Sequence, residues 1–135
     1  MPSSISGSTD ATTQLTVSLK SKPGVLAQLA RTLADAGVNI ASLSADAVSG
    51  RGKIRLIVND PGNAERALRR AKYRVSEEPA FVVRMRNKPG AFARVAGRLA
   101  KARVNIKSAY ATTAGRGAAV VFTVGRAVKA RQLLR

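Results

Sequence analysis

Two short stretches hold the residue types best suited to gripping a small polar molecule: Ser21-Lys22-Pro23-Gly24-Val25-Leu26 and, 66 positions later, Asn87-Lys88-Pro89-Gly90-Ala91-Phe92. Proline's fixed φ and missing N–H suit the first turn of a helix, so each Pro-Gly pair reads as a helix opening. Such an opening leaves backbone N–H groups unpaired at the positive end of the helix dipole, which is a setting for a carboxylate. Gly24 and Gly90 let a ligand come close to the main chain, with Val25, Leu26, Ala91 and Phe92 supplying the next N–H groups. Both stretches run on to Val-Asn-Ile, at 38–40 and 104–106, where a strand should start. Residues 22–40 and 88–106 share 11 identities in 19 positions, so the chain is a tandem duplication.

This is binding chemistry, and the composition offers little else. The 135 residues include no cysteine and no histidine, which removes thiol nucleophiles, disulfides, the commonest general base and the commonest transition-metal ligand. Seven acidic residues, none after Glu78, form no evident acid–base pair. Neither an enzymatic activity nor a cofactor or metal is expected. No apolar run reaches the length of a membrane span, and residues 1–13 have neither the basic start nor the apolar core of a signal peptide, so a cytoplasmic location is the expectation.

The net charge of +17 is uneven. Residues 1–78 carry 11 Lys/Arg against 7 Asp/Glu (+4), and residues 79–135 carry 13 Lys/Arg and no acid (+13). An acid-free half can serve a polyanion, or simply solvate the backs of helices.

The positioning elements follow from periodicity. Residues 1–13, rich in Ser and Thr and without periodicity, read as a disordered tail. Leu15, Val17 and Leu19 alternate as one face of a strand, and Leu26, Leu29, Ala30 and Leu33 form the apolar stripe of a helix that Gly37 ends. Residues 38–45 and 53–58 read as strands around a turn at 49–52. Asp60-Pro61 caps a second helix, and 73–78 is a weaker fourth strand. Repeat one, 14–78, is thus β-α-β-β-α-β, an α+β ferredoxin-like plan with helices on one face of an antiparallel sheet.

Repeat two, 79–135, has the same pattern, with Phe81, Val83 and Met85 for the first strand and Phe92, Val95, Ala96 and Leu99 for the helix stripe. Arg103 replaces the stop glycine and Arg126 replaces the capping Asp60. Arg135 is the counterpart of Arg69, so this repeat lacks residues for its fourth strand and should leave the strand near Phe81 with an open edge.

The Lys-Pro-Gly turn, the amphipathic helix, Val-Asn-Ile and the β-α-β-β-α-β order, each present twice, resemble the ACT domain, a small regulatory module of amino-acid metabolism. The chain from about Gln14 is similar to stand-alone tandem ACT proteins. The resemblance implies a sensor that binds a free amino acid where the strand 1–helix 1 loop of one domain meets the second strand of its neighbour. It also implies a regulated enzyme or regulator as a partner. By position, Asn87 matches the family's Asn or Asp before the Pro-Gly turn, and Ser21, a shorter side chain, holds that place in repeat one. Lys22 and Lys88 could pair with a carboxylate, while Asn39-Ile40 and Asn105-Ile106 stand where the family draws contacts from the neighbouring domain.

Side-by-side pairing of second strands would separate the end of one domain from the start of the other by about 29 Å. Pro79-Ala80 spans about 10 Å. The pairing is therefore expected between chains, in a homodimer, or by exchange of strands. The alternative function is nucleic-acid or polyanion binding by the basic half, since RNA-recognition domains use the same element order. Those domains stack bases on displayed aromatics, and Phe81 and Phe122 fall on the alternation assigned to the core.

Overall fold

A computed structural model describes residues 9–134. The elements are β1 (Thr9–Lys20), α1 (Val25–Asp35), β2 (Ile40–Val48), β3 (Arg51–Val58), α2 (Pro61–Arg70), β4 (Arg74–Arg86), α3 (Ala91–Lys101), β5 (Ile106–Ala114), β6 (Gly117–Val124) and α4 (Ala127–Leu134). They divide into a first unit, residues 13–78, and a second unit in which the start of β1, up to Thr12, joins the residues from Pro79 on.

In the first unit the strand order is β2-β3-β1-β4. The antiparallel register sets Leu15 opposite Leu56 and Val17 opposite Ile54, so alternate side chains meet on the face that the helices cover. There α1 contributes Leu29 and Leu33, and α2 contributes Ala64 and Leu68. Leu15, Leu29, Leu33, Leu56 and Leu68 are wholly removed from solvent, each worth about 1.5–3 kcal/mol of transfer free energy. The Asp60 carboxylate accepts the Asn63 N–H at 3.2 Å as the cap of α2, with Pro61 in the first turn. Asn63 in turn donates its side-chain amide to the Ala36 carbonyl at 2.9 Å, tying the start of α2 to the end of α1.

In the second unit the order is β1-β4-β6-β5. Phe81 faces Phe122 and Val83 faces Val120 across β4 and β6, and these close with Val95, Leu99 and Ala130 into a separate core. Three features depart from the reading of the sequence. First, β1 begins at Thr9, so residues 9–13 of the expected tail are strand, while residues 1–8 lie outside the described residues. This segment has no hydrophobic alternation because its partner is backbone: it lies beside β4, where Asp10 pairs with Arg84. The open edge expected near Phe81 is thereby covered, by the start of β1. Secondly, β4 continues for 13 residues through Pro79, without a linker at 79–80. Pro79 is exposed, and its fixed φ fits extended backbone where no ladder N–H is required. Thirdly, burial is not confined to the helix face. Val82, Val121 and Thr123 are buried on the other face of the second unit, and Gln14 and Ile57 on that of the first. The Thr123 hydroxyl is satisfied by Ser108 Oγ at 2.6 Å.

The ends of α1 and α3 show how one geometry is reached with different residues. Gly37 (φ 75°) follows α1, and the Val38 N–H returns to the Leu33 carbonyl at 3.0 Å. At the matching point after α3, Arg103 itself adopts φ 61°, and the Val104 N–H returns to Leu99 at 2.9 Å. A left-handed arginine costs about 1–2 kcal/mol that glycine does not. Arg103→Gly is expected to raise unfolding stability by about 1 kcal/mol, read as a higher urea midpoint with unchanged slope; a lower midpoint would refute the assignment.

Candidate ligand-binding clefts

Lys22-Pro23-Gly24-Val25 and Lys88-Pro89-Gly90-Ala91 are type II turns, with glycine at φ 89° and 88° respectively. The turn bonds run from Val25 N–H to Lys22 O at 3.3 Å and from Ala91 N–H to Lys88 O at 3.2 Å. The Val25 and Ala91 amides, expected from the sequence to be ligand donors, are thus engaged within the turn, because closing it brings them onto those carbonyls. The N–H groups of Gly24, Leu26, Gly90 and Phe92 stay outside these bonds. Each loop is anchored to a hairpin turn: Ser21 N–H donates to Gly50 O at 2.8 Å, and Asn87 N–H to Arg116 O at 2.6 Å. The Asn87 side-chain NH₂ adds a long bond to Gly115 O at 3.5 Å, which turns its carbonyl oxygen away from the β5–β6 turn.

Between each loop and the adjoining hairpin lies a cleft. In the first unit it has a volume of about 280 Å³ and is lined by Leu19, Ser21, Lys22, Val25 and Leu26 on the loop side and by Ala45, Asp46, Ala47, Gly52 and Ile54 on the hairpin. In the second unit about 440 Å³ is lined by Met85, Arg86, Asn87, Lys88, Ala91 and Phe92, facing Ala109, Tyr110, Ala111, Thr113, Ala118 and Val120. Every lining residue of the first cleft except Asp46 has a lining counterpart 66 positions on, and the second cleft adds Arg86, Ala109 and Tyr110, whose counterparts Lys20, Leu43 and Ser44 do not line the first. The floor follows from register. Ala45 and Ala47 pair with Ile54 and Gly52, and Ala111 and Thr113 with Val120 and Ala118, so small side chains lie on the helix face beyond the reach of the helix. Phe92, half-exposed, stacks on the buried Phe122 with centroids 5.8 Å apart and forms one wall.

Of the residues singled out in the sequence, Ser21, Lys22, Val25, Leu26, Asn87, Lys88, Ala91 and Phe92 meet at these clefts. Gly24 and Gly90 shape the turns and do not line the space. Asn39, Ile40, Asn105 and Ile106 stand at the opposite end of their sheets: Lys20 is level with Arg51 and Ile40 with Val58, roughly 23 Å apart along β3 at strand rise. The Asn39 backbone is held there by Asn59, whose Oδ1 accepts its N–H at 3.0 Å, and the Asn105 carbonyl accepts the Gly125 N–H at 2.9 Å. The hairpin residues of the floor were not singled out. Their signal was present as small residues two apart, in Ala45-Asp46-Ala47 and in Ala109-Tyr110-Ala111-Thr112-Thr113. Among the described residues no group of three or more acids could hold a metal ion, and no helix is long and apolar enough to cross a membrane.

Two ferredoxin-like units, each with a Pro-Gly loop over a small cleft, define a tandem α+β architecture. The chain belongs to the ACT domain pair family, whose pattern it matches over residues 11–135. Protein BT0572 from Bacteroides thetaiotaomicron is similar at 28% identity, with 93% of this chain and 88% of that one covered and a TM-score of 0.87. The ligand-free regulatory subunit of aspartate kinase from Thermus thermophilus superposes with a TM-score of 0.67 at 16% identity, covering 96% of this chain and 92% of that one. The regulatory subunit of aspartate kinase from Thermus flavus gives 0.69 at 16% identity, with coverages of 96% and 95%. No curated protein sequence matches.

Proposed function

We propose that this protein is a non-catalytic sensor that binds a free amino acid in the loop clefts and relays occupancy to a regulated enzyme or regulator. The observation that carries this reading is the recurrence of one cleft in both units, each bounded by a glycine turn, a polar residue at 21 or 87 and a floor of small strand side chains. Family membership and the fold shared with aspartate kinase regulatory subunits support it. An α-carboxylate fits the N–H group of Phe92 beside Lys88, and the Asn87 carbonyl oxygen suits the ammonium.

The proposed assembly is a cytoplasmic homodimer. Strands β2 and β5 end the order in their units, and an edge strand of a second chain laid against either would satisfy unpaired backbone groups. Such a neighbour is also what would bring Asn39-Ile40 or Asn105-Ile106 to a cleft. The nucleic-acid alternative is weakened, because Phe81 and Phe122, its only aromatics on central strands, are buried and cannot stack on bases.

A thermal-shift screen of the twenty amino acids tests the reading, since a ligand that binds only the folded state raises the melting temperature. Asn87→Ala, at an exposed position, is expected to weaken the best ligand by about tenfold in calorimetry with the melting temperature of the free protein unchanged. No shift with any amino acid would refute the sensor reading.

A further inference from the structure

The helices of the two units keep matching cores and differ in charge at one end. Where α1 ends and α2 begins, the first unit has Asp35, Gly37, Asp60 and Asn63, two carboxylates and two neutral residues, a formal −2. At these positions, 66 residues on, the second unit has Lys101, Arg103, Arg126 and Lys129, four cations, a formal +4. The Gly125 N–H donates to the Asn105 carbonyl at 2.9 Å, which draws the start of α4 to the end of α3 and gathers these residues at the end of the unit away from its cleft. Lys101, Arg103 and Arg126 are exposed, Lys129 is half-exposed, and none of the four joins an ion pair among the described residues. Local structure does not ask for this charge. Asp60 caps α2 and Asn63 ties it to Ala36, whereas the Arg126 guanidinium offers no acceptor and stands against the positive end of the α4 dipole. Arg103 takes the left-handed conformation that glycine takes after α1.

We infer that this corner of the second unit is a docking surface for duplex DNA, held through its phosphates. Clustered arginine and lysine side chains release the counterions condensed on a duplex and grip phosphate oxygens without reading sequence. No aromatic residue stands in 101–105 or 125–131 to stack on a splayed base, which sets single strands aside. Val128 is the one large exposed apolar side chain on α4, too little to enter a lipid surface or to form the apolar centre of a protein interface. Phosphate contacts need no stacking, so the burial of Phe81 and Phe122 does not oppose them. The surface lies at the end of the unit opposite the cleft, and its occupation is independent of an amino acid there.

Fluorescence anisotropy with a short labelled duplex DNA, over a series of salt concentrations, tests this on the full chain. A cluster variant combines Lys101→Gln, Arg103→Gly, Arg126→Asn and Lys129→Asn; the glycine and the second asparagine copy the first unit, and the first asparagine is a capping residue, so it is expected to fold. A control variant, Arg51→Gln, Lys53→Gln, Arg66→Gln and Arg70→Gln, removes the same number of charges from exposed positions of the first unit. For the natural chain the logarithm of the binding constant is expected to fall against that of salt with a slope of about −3 to −4. The cluster variant should bind at least about tenfold more weakly at low salt with a slope shallower by about 3, and the control should change the slope by less than about 1. Should the cluster variant melt early, Lys101→Gln with Lys129→Asn alone is expected to make the slope shallower by about 2. No binding of the duplex at low salt, equal losses in the cluster and control variants, or tighter binding of the single strand overturns the inference. So does binding to vesicles of anionic lipid that the cluster variant loses while its duplex binding stays.

Discussion

Deleting residues 1–13 is expected to destabilise the second unit by about 3–5 kcal/mol while leaving the core of the first in place. Four residues of β1, 9–12, complete the second unit's sheet beside β4, and backbone hydrogen bonds contribute roughly 0.5–1.5 kcal/mol each. Their removal exposes the edge of β4 at Ala80 to Met85, a run of five buried residues apart from Arg84, and frees Arg84 from Asp10. A small domain has about 5–15 kcal/mol in total, so this loss is a large share of it. Hydrogen exchange reads the effect directly: amides of β4 and β6 should exchange far faster in the truncated chain, while those of α1 and β3 keep their protection. Unchanged protection in β6 would show that the segment contributes nothing. The experiment matters because Gln14 is where a reading of the sequence alone would begin the folded part.

The second large effect is expected from Gly90→Val. A Cβ at position 90 would meet no atom within 4 Å, so the penalty is one of backbone conformation and not of collision. At φ 88° and ψ −12° a β-branched residue is strained by about 2–3 kcal/mol. The chain can relieve this by abandoning the type II turn, which releases the Ala91 N–H from Lys88 O and moves the first turn of α3 across the cleft. Both stability and ligand affinity should fall, the affinity by more than tenfold. Gly97→Ala, in the exposed middle of α3, supplies the contrast, because its added methyl also meets open space and an alanine there favours the helix by about 1 kcal/mol. Retention of both the denaturation midpoint and ligand binding in Gly90→Val would defeat the account of the turn.

Much of this architecture was legible before any coordinates, because duplication let each repeat check the other. The stripe Leu29-Leu33 and its counterpart Val95-Leu99, the capping Asp60 and the alternation of Phe81, Val83 and Met85 all report local rules that the tertiary structure obeys. What was not legible is non-local. Residues 9–13 are polar and unpatterned because their pairing is through main chain at an edge, and nothing in Thr9-Asp10-Ala11-Thr12-Thr13 reveals a partner some 70 positions away. Pro79 reads as a break, yet an exposed proline interrupts no needed hydrogen bond. Arg103 stands at the aligned place of the stop Gly37, but its residue type does not announce the left-handed conformation it adopts. The loop side of each cleft came from a motif, whereas the floor depended on register, which places Ala47 against Gly52 and Thr113 against Ala118. Asn39 and Asn105 drew attention by recurring, and within a unit they serve the backbone at the far end of the sheet.

The route of β1 has a consequence for synthesis. Residues 13–78 are contiguous, so the first unit can fold as soon as they leave the ribosome. The second unit needs the start of β1 as well as the residues from Pro79 on, and that part of β1 must wait, unpaired, until its stretch of β4 emerges some seventy residues later. A gene cut at the repeat boundary would therefore yield one self-sufficient product and one deprived of an edge, although the two halves descend from the same ancestor.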